Sequence, residues 1–168
     1  IIKIDSPLIK NILPSFTLRP HHRHDLNEIQ KLLFKLHNLC TQDNGKILVL
    51  ASSHILNPSI LTNSYNFFKE EVPNLRDNIL SLNSIDAKYG FPYQLFEAKY
   101  ILVTEPIQYS LDPMDQKVQG IPAQLILNGS SIGKSFRRLP DNFILEKGIK
   151  VYIYEKIAKI DLKDAKDL

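Results

Sequence analysis

No internal disulfide can staple this chain, because Cys40 is its only cysteine. The cysteine count therefore leaves the redox compartment open. No stretch approaches the roughly 18–20 apolar residues needed to span a bilayer, so these residues do not cross one. Residue 1 is Ile, the only methionine is Met114, and no signal peptide is expected in these residues. The expectation is a segment of a longer protein, or a processed chain. Charge of one sign is also lacking. The 21 basic and 18 acidic residues leave a net +3, and they are scattered rather than gathered in a stripe, which argues against nucleic acid as a partner.

What is present is an ordinary globular composition. With 168 residues, 43% hydrophobic and 23% charged, the chain can bury one real core. Residues 1–24 carry three prolines and no sustained period, which reads as an extended lead-in. From Asp25 a helix is expected. Asp25 can cap its first turn, with Glu28 completing a capping box. Leu26, Ile29, Leu33, Leu36 and Leu39 or Cys40 would form its buried face, and Gly45 would end the unit. "KILVLAS" and "YILVTEP" are short, continuously apolar runs suited to buried strands, and "NILSL" reads as another. A helix is expected from Pro58 or Ser59. Further helix starts are expected at Asp112-Pro113 and Ile121-Pro122. "NFILEKGIKVYIYEKI" reads as two strands around Lys147-Gly148, with Val151 and Ile153 on one face and Tyr152 and Tyr154 on the other.

Strands alternating with helices imply an α/β fold. The expectation is a three-layer molecule with a mostly parallel central sheet, helices on both faces and a C-terminal β-hairpin at an edge. A single domain would run over residues 25–160, followed by a charged tail over 161–168.

The motif most suggestive of chemistry is "NGSSIGKSF". A phosphate-binding P-loop needs four residues between its first glycine and Gly-Lys, so that successive N–H groups wrap a phosphate. Gly129 and Gly133 enclose only three, and Pro140 follows too soon for the required long helix. The better reading is a helix ending at Gly129 and then a loop. His21, His22 and His24 beside Asp25 invite a metal, but adjacent histidines on irregular backbone set no coordination geometry, so no metal is expected. Ser52, Ser53 and His54 follow the first strand without the hydrolase pattern G-x-S-x-G. Cys40 on an apolar helix face reads as packed rather than reactive. No G-x-G-x-x-G follows a strand, and no cofactor is expected.

In open α/β sheets, ligands sit in the crevice beyond the carboxyl ends of the parallel strands. The loops there supply Ser52, Ser53, His54, Asn83, Glu105 and Gln108. These hydroxyls, amides and a carboxylate suit a polyhydroxylated ligand better than a phosphate, for which no glycine-rich cradle is present. The alternative is that they merely cap turns.

The order of segments "KILVLASSHILNPSIL", "EAKYILVTEPIQYSLDPMDQKVQGIPAQLILNGSSIGKSFRRLP" and "GIKVYIYEK", from about Lys46 to Lys156, resembles the C-terminal soluble region of polytopic bacterial glycosyltransferases. These are the dolichyl-phosphate-mannose-protein mannosyltransferase-like proteins, which use lipid-linked sugar donors. The resemblance implies a non-catalytic accessory domain on the extracytoplasmic side of the cell membrane. Its partners would be the transmembrane part of the parent protein and a glycan or lipid-linked sugar, and its lead-in would be juxtamembrane. In that family the catalytic acidic residues lie in the membrane-embedded part, so the resemblance carries no catalytic residue to any position here. The residues alone also admit a stand-alone small α/β enzyme or ligand-binding domain with its site at the strand ends.

Overall fold

The computed structural model describes residues 23–80, 82, 91–161 and 163–168. The expected lead-in up to residue 22, with His21 and His22, lies outside the described residues, and so does Asn83.

Five strands form one mixed sheet in the order β2-β1-β3-β5-β4. β1 (Lys46–Leu50) lies parallel to β2 (Ile79–Leu80) on one side and to β3 (Ala98–Glu105) on the other. β5 (Lys150–Lys156) runs antiparallel between β3 and β4 (Phe136–Ile144). The three apolar runs are thus the parallel strands expected of them. β5 is internal, and β4 takes the edge.

The period-2 alternation of the strands divides the core in two. Ile47, Val49, Tyr100, Leu102, Val151 and Ile153 pack on one face with Ile29, Leu32, Leu33 and Leu36 of α1 (Leu26–Asp43) and Leu61 of α2 (Pro58–Phe68). Leu48, Leu50, Ile101, Val103, Tyr152 and Tyr154 pack on the other, with Leu95 of the one-turn α3 (Gln94–Glu97) and Ala123 and Ile126 of α4 (Lys117–Asn128). Each fully buried Leu or Ile contributes about 1.5–3 kcal/mol. The parallel strands can be apolar at every position because both their faces are covered.

Local chemistry explains the helix boundaries, with several corrections to the sequence reading. Asn57 caps α2 by accepting from the Ile60 N–H at 2.8 Å, and Pro58 sits in the first turn. Asp25 precedes α1, but its side chain caps nothing there. The carboxylate instead faces Arg23, receiving Nε at 2.9 Å and Nη2 at 2.7 Å, and accepts the Glu146 N–H at 2.8 Å. Glu28 likewise turns away, to Lys31. Leu26 is 48% exposed and does not join the buried face. The left-handed cap of α1 is Asn44, not Gly45. Gly45 is needed for close approach, since a Cβ there would come within 2.8 Å of Lys99.

Asp112-Pro113 starts only a 3₁₀ turn, Pro113–Asp115. Ile121-Pro122 starts nothing: Pro122 lies inside α4, which begins at Lys117. Strand β4 begins at Phe136, before the Asn142 start expected of the hairpin, and it tolerates Pro140 because it is an edge strand with a bulge. Its register shifts between Arg138 and Asn142, which face Tyr154 and Tyr152.

Candidate functional site

The order in which β1 is flanked by β2 and then by β3 makes the β1/β3 boundary the point where the sheet's winding reverses, and the crevice beyond it is the expected ligand position. A hollow of about 190 Å³ lies there, between the loop after β1, the first turn of α2 and the start of α4. Ser52, Asn57, Ser59, Ser110 and Gln119 give it hydroxyls and amides, while Ala51, Pro58 and Leu82 supply apolar surface.

Of the six residues expected to form one site, the five that are described do not converge. Ser52 and Gln108 do meet, with the Ser52 N–H donating to the Gln108 carbonyl at 3.1 Å. The Ser52 hydroxyl donates to Gln116 Oε1 at 3.2 Å and accepts from the Ser110 N–H at 3.1 Å. Ser53 is buried, and its hydroxyl accepts the Ile55 N–H at 3.1 Å, a local turn contact. His54 is exposed and lies 3.3 Å from Lys147 Nζ, toward the β4–β5 turn. Glu105 points to the other side of the loop that follows β3, where its Oε2 accepts from the Tyr152 hydroxyl at 2.7 Å.

Two glutamines with no role in the sequence reading hold this region together. Gln116 is fully buried, and its Oε1 accepts from the Ser110 and Leu111 N–H groups at 2.9 and 3.0 Å. Gln119, 2% exposed, donates to the Gln108 carbonyl at 3.0 Å. They fasten residues 108–111 down over the end of β1. The signal for them was a pair of glutamines three residues apart, flanking Val118 and preceding Pro122, Ala123 and Ile126 on the same helix.

A second hollow, of about 490 Å³, opens on the far side of that loop. Glu105, Tyr109, Gln124, Asn128, Arg138, Tyr152 and Tyr154 line it, with Pro106, Ile107 and Leu127. The Arg138 guanidinium carbon lies 3.6 Å from the centroid of the Tyr152 ring. The hydrogen bond to Glu105, together with burial, raises the Tyr152 hydroxyl above the ordinary phenol range despite the opposing charge of Arg138. Burial raises Tyr109 and, against Arg138, Tyr154. All three phenols are therefore protonated donors at neutral pH.

The remaining sequence candidates have structural occupations. Gly133 sits against the Leu125 carbonyl, where a Cβ would collide with backbone. Its segment, Ser131–Ser135, is a 3₁₀ turn leading into a strand rather than a helix. The Ser131 hydroxyl donates to the Asp164 carbonyl at 2.7 Å, fastening the charged tail. Cys40 is buried, and desolvation with the nearby Asp43 charge pushes its thiol up to about 11. His24 is exposed, its backbone N–H donating to Glu146. Among the described residues no group of three or more His, Cys, Asp or Glu side chains could hold a metal. Nor is any helix among them long and apolar enough to cross a membrane.

Comparison of the chain with protein-family models, with curated proteins and with solved structures gave no match.

Proposed function

We propose that this chain is a binding domain rather than a catalyst: the soluble accessory domain of an integral-membrane glycosyltransferase that uses a lipid-linked sugar donor. In this reading it stands on the extracytoplasmic side as a three-layer α/β domain edged by its β-hairpin. It holds an acceptor glycan or gates the active site of the transmembrane part. The observation that carries the binding role is the hollow at the β1/β3 boundary, whose polar lining is serine hydroxyls and amides without a cation or a glycine-rich turn. Neutral donors and acceptors in that arrangement match the hydroxyls of a sugar. The hydroxyls nearest the strand ends, Ser52 and Ser53, are already bonded to neighbouring groups, which favours binding over nucleophilic attack. The assignment to a membrane enzyme rests on the sequence resemblance.

Two experiments test the reading separately. Titrating a neutral disaccharide and a lipid-linked sugar analogue into the ¹⁵N-labelled chain should shift the amides of Ser59, Ser110 and Gln119. Shifts confined to other regions would overturn the site. Reading the gene on both sides of the coding region for residues 1–168 tests the parent. A frame with no run of apolar spans would overturn the membrane assignment and leave a stand-alone binding domain.

A further inference from the structure

The larger hollow carries an inference independent of the strand-end crevice. Three side chains form a row across three adjacent strands: Glu105 on β3, Tyr152 on β5 and Arg138 on β4. The register explains the row. Val103 faces Tyr152 and Arg138 faces Tyr154, so Glu105 and Arg138 are both diagonal neighbours of Tyr152 on one face of the sheet. Diagonal spacing lets Tyr152 give its hydroxyl to Glu105 while its ring supports the guanidinium of Arg138.

Arg138 differs from Arg137, Lys99 and Lys35, the paired cations near it. Arg137 and Lys99 pair with Glu155, and Lys35 pairs with Asp141. Among the described residues no carboxylate forms an ion pair with Arg138. The Tyr152 ring lies 3.6 Å from its guanidinium carbon, and an exposed guanidinium without a carboxylate partner has N–H groups that can receive one through two parallel hydrogen bonds. Opposite, Gln124 and Asn128 on the last turns of α4 supply amides, and Ile107 and Leu127 supply apolar contact. Glu105 offers an acceptor for hydroxyl groups. The volume, about 490 Å³, falls within the roughly 300–1,000 Å³ usual for small-molecule sites.

We infer that this groove is a binding site for a saccharide unit bearing a carboxylate, with Arg138 taking the carboxylate and Glu105, Gln124 and Asn128 taking the ring hydroxyls. Tyr152 is a positioning residue, holding Glu105 and Arg138 at their separation. Because this site shares no lining residue with the strand-end hollow, it stands or falls separately from the function proposed above.

The test uses the full 168-residue chain and two disaccharides, cellobiouronate and cellobiose, which differ by a carboxylate in place of a hydroxymethyl group. Amide shifts and calorimetry should show saturable binding of the acidic sugar at Tyr109, Gln124, Asn128, Arg138 and Tyr152. Affinity should be about tenfold or more above that of the neutral sugar, the effect of a charge-assisted bidentate contact. Arg138→Ala should remove that preference, and Arg138→Lys should restore only part of it, while an unchanged amide spectrum elsewhere shows that the fold is intact. Equal affinity for the two sugars, a preference that survives Arg138→Ala, or the absence of saturable shifts in the groove would each overturn the inference. Cellobiouronate shifts confined to Ser59, Ser110 and Gln119 would support the strand-end site and count against this one.

Discussion

The parallel and antiparallel halves of the sheet handle polar groups in opposite ways. Beyond the ends of β1 and β3, several polar groups near the strand ends already have protein partners: Ser52, Gln108, Gln116 and Gln119 bond one another and the intervening loop. On the antiparallel side, α4 covers β1 and β3, and the groove lies between its last turns and the Tyr152, Tyr154 and Arg138 side chains of β5 and β4. There a carboxylate, a phenol and a guanidinium stand in a row beside open space. Helices on both faces of a parallel sheet compel burial, and buried polar groups must satisfy one another. An edge strand reached by a single turn leaves a shelf, where charged groups stay hydrated until a ligand replaces the water.

The two halves share one strand in the core. Leu102 is fully buried on β3, the strand shared by both halves. Leu102→Ala should cost about 3–4 kcal/mol in urea unfolding, with both halves lost in one transition. Separate transitions for the two halves would show that they are independent folding units.

A smaller effect is expected at Gln116. Its truncation leaves the Ser110 and Leu111 N–H groups without their acceptor, at a cost of about 2–3 kcal/mol. Gln116→Ala should also raise amide exchange at Ser110 and Leu111 while leaving the groove residues on β5 unchanged. Equal exchange in both places would mean that the loop is not held from the crevice side.

Asp25 makes stability depend on pH. Burial pushes the Asp25 carboxyl upward, but the Arg23 hydrogen bond, the Glu146 N–H and the Arg23 charge together outweigh it, and the pKa lies below its ordinary 3.8. A depressed carboxyl contributes stability that is complete above the unfolded pKa and is lost as pH falls through the folded one. Asp25→Asn should therefore cost about 2 kcal/mol at pH 7, a gap that narrows below about pH 4 and closes as Asp25 itself is protonated. A gap independent of pH would show that shape, not charge, is what matters there. The smallest stability effect belongs to Arg138→Ala, within about 0.5 kcal/mol as for other surface changes. That contrasts with its large expected effect on acidic-sugar binding.

How far the sequence could be read follows from the same contrast. β1 and β3 were legible because strands covered on both faces must be apolar at nearly every position, and "ILVL" and "YILVT" are. β4 was not legible. Its run "FRRLPDNFI" alternates poorly, contains Pro140, and becomes a strand only because β5 offers a partner and the bulge absorbs the mismatch. Asp25 was misread for a different reason. A carboxylate beside a helix start can cap locally, and nothing within a few residues reveals that the Glu146 N–H, 121 positions away, will claim it. A hollow does lie beyond the strand ends, where the topology leaves room for one, but the pairing of its polar groups was hidden, since buried glutamines at a helix start look like any solvated first turn. Glu105 was recognised without its partners, because Tyr152 and Arg138 become its neighbours only through the register of β3, β5 and β4.

The most direct test of the division between a hollow for neutral hydroxyls and a groove for an acidic sugar is one amide-shift map recorded with cellobiose and then with cellobiouronate. The account predicts that cellobiose perturbs Ser59, Ser110 and Gln119. Cellobiouronate should in addition perturb Gln124, Asn128, Arg138 and Tyr152, at lower concentration. Two identical maps, or maps that leave both sets of residues unmoved, would contradict it.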